Sequence, residues 1–380
     1  MSDARSRLLD NFAHRPAIES FTIESGPAFF ETTKGERTTG YATVLVSRSS
    51  MTIRFAPDAF LAVTKAAYGE ANGRIGAVNG AWLARRVNDA RRSAAGDQLF
   101  VTQEVAMDKG AAQDAVATRL IFAGAAWRGT ELLDGRKVII TPLSKEPVNH
   151  HDARVSITVE GSLDEATIET IGRASSFVAG IDLELLRVET ISAQGDVVGV
   201  RHLRGFRRVG RGPHCPFTDV ADEHRMRAWV ALVQTIPRLE KEGFPIVAMI
   251  NYIASHNLVA EINSSAPLLL LASHVAAYHF GHGSALLDGA ISRRPEMQLL
   301  NRELNLGLRD EDLDRYEKLR IELLDAGYFH KPGYETGRPQ KDIKFLRDIA
   351  HKTVLRLCGY SGPFYGAETF VTQVLAEQVS

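Results

Sequence analysis

Arg201, Arg204, Arg207, Arg208 and Arg211 fall between positions 201 and 214 together with His202 and His214, and no acid interrupts them. Arginine offers a planar fork of donors that suits phosphate, and Phe206 adds a face on which a base could stack, so the run is a candidate nucleic-acid contact. A solvated strand edge leading into a linker explains the same residues, since charge there discourages strand addition. A shorter run, Arg85, Arg86, Arg91 and Arg92, is a weaker candidate. His274, His279 and His282 form a second cluster, with His256 and Glu261 earlier in the chain. On a helix His279 and His282 share a face while His274 lies off it, and zinc needs three or four convergent ligands. The spacing is not that of a metalloprotease helix. Histidines in a core or at helix ends account for it equally, and no cofactor is expected.

Other catalytic signatures fail on inspection. Gly359, Ser361 and Gly362 lack the glycine spacing of a nucleophile elbow, because position 363 is proline. No glycine-rich loop ends in Gly-Lys-Ser or Gly-Lys-Thr. Cys215 and Cys358 are the chain's two cysteines, too few for a disulfide framework and suited to a reducing cytoplasm.

A third constellation begins at Asp314 and passes through Arg320, Asp325, Gly327 and His330. A second helical stretch follows from Asp342 to Leu357, then Tyr360 and Phe364. This order resembles the C-terminal helical region of the HEPN superfamily, in particular the ApeA-like proteins of anti-phage defence, in which a β-rich region precedes a helical domain. The resemblance places Arg320 at the family's catalytic arginine. Ile321 stands where asparagine is common and Asp325 where the histidine falls, with His330 ten residues beyond the arginine. It implies a non-catalytic or weakly catalytic binding or sensing protein. The enzymatic alternative is a metal-independent ribonuclease that uses Arg320, Asp325 and His330 in a dimeric cleft. Such cleavage needs a proton carrier near neutral pH beside a cation for the developing charge. Arg320 supplies the cation; a carboxylate at Asp325 would pair with it or repel phosphate. Arg320, Glu322 and Asp325 also read as a solvated helix face. A metalloenzyme at the histidine cluster is a further alternative.

The elements that would position these groups divide the chain in two. Between Phe21 and Val159 short β-rich runs alternate with Gly, Pro, Asp and Asn, which predicts a β-sandwich-like region over residues 1–160. Ala59 to Ala67 reads as a short helix within it. Ser162 with Glu165 is a capping box, so a helix is expected to about Ala179, ended by Gly180. A hairpin around Gln194, Gly195 and Asp196 follows, and residues 161–215 form a bridge that ends in the basic linker. Residues 216–380 read as an all-helical HEPN-like domain. The class expected is α+β.

Leu319, Leu323, Leu346 and Ile349 give two of the helices apolar stripes able to face a core or a second copy of the chain, and HEPN-like domains generally pair, so a homo-oligomer is expected. Across 380 residues 46 acids nearly cancel 45 bases, so no global field steers the chain to nucleic acid. RNA remains a candidate partner through the local run alone. Residues 1–15 carry no apolar run of signal length, and the stretch from Ile246 to Phe280 is interrupted by Asn251, His256, Asn257, Glu261 and Asn263. A cytoplasmic protein without membrane contact is expected.

Overall fold

The computed structural model describes residues 2–15, 21–47, 50–58, 73–92, 98–108, 115–125, 127–143, 153–203, 215–258, 268–270, 272–273, 275–276, 294–322, 338–369 and 371–375. Two compact units emerge. The first comprises residues 1–128, 134–164 and 184–207; the second comprises 129–133, 165–183 and 208–380.

The first unit opens with helix α1 (Ser2–Ala13) and continues with strands β1 (Phe21–Thr32), β2 (Arg37–Val46), β3 (Met51–Pro57), β4 (Gly73–Ala77), β5 (Trp82–Arg92) and β6 (Gln98–Val101). These six strands close on themselves: β1 pairs with β2 and β4, β3 with β2 and β6, and β5 with β4 and β6, all antiparallel. The expected sandwich is therefore corrected to a closed barrel. Alternation fills its interior, because successive side chains of a strand point to opposite faces. Gly40, Ala42, Val44 and Val46 of β2 are buried, as are Met51, Ile53 and Phe55 of β3. With Phe30, Trp82 and Phe100 they make a packed core of the kind small barrels require. Tyr41 and Leu45 point outward from the same strand. At Gly40 a Cβ would stand 2.2 Å from the Ala56 carbonyl oxygen, so only glycine allows β2 and β3 to approach this closely.

The sheet continues beyond the barrel through β7 (Glu104–Asp108), β8 (Ala115–Ala123), β10 (Arg136–Pro142), β11 (Arg154–Glu160), β12 (Glu184–Ser192) and β13 (Val197–Leu203). Its order is β5-β7-β13-β12-β8-β11-β10. Buried Thr102, between β6 and β7, marks the handover. Its hydroxyl donates to the Arg85 carbonyl at 2.6 Å and its N–H donates to the Met51 carbonyl at 3.0 Å. Helix α1 covers part of this extension with Leu9, Phe12 and Ala13 against Ala117, Ile139 and Ile191.

A charged row crosses the extension's interior. Arg119 on β8 donates to Ser156 at 2.7 Å, to Glu189 at 3.3 Å and to the Arg15 carbonyl. Arg187 lies 2.6 Å from the other oxygen of Glu189. Opposite Arg187 stands His202 of β13, 6% exposed, its ring 4.5 Å from Phe21 and its Nε2 without a hydrogen-bond partner among the described residues.

In the second unit β9 (Gly129–Leu133) lies against α3 (Asp222–Lys241), where Gly129 leaves room for Met226. Helix α2 (Glu165–Ala179) ends as expected at Gly180, whose φ of 66° suits glycine. It packs on α3 and α4 (Ile246–Leu258), and the Trp229 indole N–H of α3 donates to Ser175 of α2 at 2.9 Å. Helices α5 (Arg294–Leu304), α6 (Asp310–Arg320) and α7 (Arg338–Leu357) follow. A hairpin of β14 (Pro363–Gly366) and β15 (Val371–Val374) ends the unit, so the all-helical expectation is corrected as well. Sequence patterning misses it because its strands are four residues each, too short to register as a period. Leu319, Leu346 and Ile349 are buried within the chain itself. No described helix is long and apolar enough to cross a membrane.

Burial first, and Arg187 second, push the pKa of His202 from 6.5 down to about 3. The unfolded chain therefore binds a proton that the folded chain refuses between those values, and stability falls as pH drops from 6.5 toward 3. The loss should reach a few kcal/mol, since each pH unit crossed in that window contributes about 1.4 kcal/mol. Urea unfolding at pH 4.5 and pH 7 should show His202→Phe with a smaller acid loss than the native chain; an equal loss would assign the acid sensitivity elsewhere.

Candidate functional site

Helix α6 carries the arginine singled out in the sequence and the groups around it. Asp310, Glu311 and Asp312 occupy its first turn, Lys318 and Arg320 its last, as the helix dipole favours. The Asp312 carboxylate accepts the Arg309 N–H at 3.0 Å and fixes the start. Leu313, Tyr316, Leu319 and Arg320 form the buried face, which turns Arg315 and Lys318 outward.

Arg320 is 8% exposed. Its guanidinium donates to both carboxylate oxygens of Glu317, one turn back on the same helix, at 3.0 and 3.2 Å. The pair thus lies within α6. Asp325 and His330 lie outside the described residues, as do Arg204, Arg207, Arg208, Arg211, His274, His279 and His282. Arg201 is half-buried on β13, opposite Val188 of β12 and Ala106 of β7. Among the described residues no group of three His, Cys, Asp or Glu side chains could hold a metal ion.

The residues the structure does bring together come from α6, from α7 and from the turn between β14 and β15. Arg315 donates from Nε and Nη2 to one oxygen of Asp342, at 3.0 and 2.8 Å, and from Nη1 to Glu368 at 2.5 Å. Its guanidinium sits 4.2 Å from the centre of the Phe345 ring. Burial works against its charge, but the hydrogen bonds and charges of Glu368 and Asp342 outweigh it and hold its pKa above the ordinary value. Beside it opens a pocket of about 310 Å³ lined by Arg315, Lys318, Leu319, Lys341, Asp342 and Glu368. Three cations and two carboxylates line it, with one apolar side chain.

Asp348, two turns along α7 from Lys341, holds the turn in place. Its carboxylate accepts the Ala367 N–H at 2.7 Å and the Glu368 N–H at 3.1 Å. Burial raises the Asp348 pKa, while the two backbone donors and Lys352 oppose the shift. Lys352 lies one turn further, its ammonium 5.7 Å from the Phe364 ring centre, and its pKa is lowered by burial against the pull of Asp348. Sequence patterning does not single out Arg315, Asp342 or Glu368. Asp342 and Glu368 are 26 residues apart, and no motif links an arginine to acids at such distances. The recurrence of Lys341, Phe345, Asp348 and Lys352 at three and four residues is the available signal, and it places them on one side of α7.

No protein family, no curated protein and no solved structure matches this chain. The site is therefore interpreted from its own geometry.

Asp348→Ala should leave the amides of Ala367 and Glu368 without their acceptor, at a cost of about 1–3 kcal/mol in urea unfolding, with faster hydrogen exchange at both. Asp348→Asn retains an acceptor and should lose less. Its pH profile should differ too: a raised folded pKa means a contribution present at low pH and lost as pH rises through that value, a slope the amide cannot show. Unchanged exchange at positions 367 and 368 in Asp348→Ala would remove the clamp.

Proposed function

We propose that this chain is a non-catalytic, HEPN-like binding or sensing protein of the cytoplasm, acting on RNA or a related nucleic acid in prokaryotic anti-phage defence or a stress response. The observation that carries the reading is the engagement of Arg320. A catalytic arginine has to meet the phosphate whose charge develops. Here the guanidinium is buried and bonded through two nitrogens to a carboxylate of its own helix. Opening that pair to admit phosphate would leave Glu317, itself 14% exposed, without those bonds beside a second anion. The run that begins with Arg201 remains the candidate contact for nucleic acid, since the chain as a whole is close to neutral.

Incubation of the purified chain with labelled RNA in EDTA tests the reading. No cleavage is expected, and Arg320→Ala should alter stability, by roughly 1–3 kcal/mol, without altering the RNA. Arg320-dependent cleavage would overturn the proposal in favour of the ribonuclease. Replacement of Arg204, Arg207 and Arg208 by alanine should weaken RNA binding and flatten its salt dependence, because a chain that neutralises fewer phosphates releases fewer counterions.

Burial also bears on assembly. Leu319, Leu346 and Ile349 are buried in the chain's own core, so these three side chains are not free to face a second copy. The full chain should sediment as a monomer at micromolar concentration. A stable dimer would restore the shared cleft that the ribonuclease needs.

A further inference from the structure

The five charged groups around the α6–α7 pocket are not equivalent. Arg315 is answered by Asp342 and Glu368, each bonded to it. Lys318 and Lys341 are exposed, and neither forms an ion pair with a described residue. Among the described residues, the uncompensated charge of the pocket is therefore that of the two lysines.

Arg315 also has donors left over. A guanidinium carries five N–H groups. Those on Nε, one on Nη2 and one on Nη1 go to the two carboxylates. One N–H on Nη1 and one on Nη2 have no acceptor among the described residues. The two carboxylates and the Phe345 ring fix the plane of the fork, so its remaining donors are held in place before any ligand arrives. Such preorganisation lowers the cost of ordering on binding.

We infer that this pocket binds the phosphate group of a small phosphate monoester. Lys318 and Lys341 provide two positive charges for a dianion, and Arg315 provides directed donors that recognise its oxygens. A volume near 310 Å³ lies at the lower end of the range for small-ligand sites, roughly 300–1,000 Å³. An ammonium ligand is disfavoured because Asp342 and Glu368 already face a cation. The lining has one apolar side chain, Leu319, so recognition rests on charge more than on a hydrophobic body. The monoester is either a free nucleotide or the terminal phosphate of an RNA strand. The inference stands on this pocket and does not require the nucleic-acid reading of the arginine run.

Calorimetric titration of the full chain at low ionic strength tests it, with inorganic phosphate, a nucleoside 5′-monophosphate and the matching nucleoside. Phosphate and the monophosphate should bind and the nucleoside should not. Lys318→Ala with Lys341→Ala should weaken binding by at least roughly tenfold, as removal of charge-assisted hydrogen bonds implies. Both side chains are exposed, and an unchanged melting temperature would show that the fold survives. Arg315→Lys keeps the charge but not the fork and should also weaken binding. Lys241→Ala, at the exposed end of α3, should leave it unchanged. In a second arm, 5′-phosphorylated and 5′-hydroxyl oligoribonucleotides are compared. A preference for the phosphorylated strand that the double variant abolishes names an RNA end as the source. Binding of the mononucleotide alone names a free nucleotide. Absence of phosphate binding at millimolar concentration, or an equal loss in Lys241→Ala, would overturn the inference.

Discussion

The first unit depends on β5 being bonded along both edges. One edge carries β4; the other carries β6 near its end and β7 near its start, through Asn88 to Val101 and Trp82 to Met107 respectively. Between Leu83 and Val87 the strand is flanked by β4 on one side, which leaves little of it to template aggregation. It also belongs to two structures at once, the barrel through β4 and β6 and the extended sheet through β7. Thr102 makes that possible by breaking the run between β6 and β7 while keeping its own N–H and hydroxyl bonded. Loss of β4 or β6 would open the barrel and expose its packed interior.

In the second unit the corresponding role falls to a few charges. Arg315 links α6 to α7 and to the β14–β15 turn, and Asp348 fastens the same turn from α7. The pocket is thus a by-product of the joint that holds these elements together. Its lysines take no part in that joint, which leaves them available to a ligand. Asp342 is 4% exposed and bonded, whereas Lys318 and Lys341, which line the same pocket, are exposed.

Helix α2 and the β12–β13 hairpin are legible in the sequence because an apolar helical period, a terminal glycine and a turn glycine are local signals, although α2 starts at Glu165 and not after the capping box read at Ser162. Strands β3, β8, β10 and β11 announce themselves through β-branched runs. Closure of the barrel is not legible, since a sandwich and a barrel both place alternate residues inside, and only the pairing partner of β4 distinguishes them. The residues of β5 read as a basic run instead of a strand. The reason is a bulge: Ile75 pairs with Ala84 and Gly73 with Val87, and Arg86 adopts a φ of 53°, so Arg85 and Arg86 both face outward and the alternation breaks. Arg320 is legible as a cation on an amphipathic helix, but spacing cannot show that its partner is Glu317.

The charged row on β8, β12 and β13 also acts as a test of strand alignment during folding. Arg119 meets Glu189 only in the register where they sit opposite one another, and the register of β13 sets the uncharged His202 opposite Arg187. An apolar sheet interior would tolerate a shift by two residues, since the same face stays inward. Here such a shift carries Arg119 away from Glu189 and leaves that one ion in the sheet's interior without its counterpart, a penalty of roughly 3–5 kcal/mol, while Glu189 keeps Arg187 of its own strand. Misaligned sheets therefore lie well above the native one, and the row selects among alternatives that hydrophobicity alone would rank as equals.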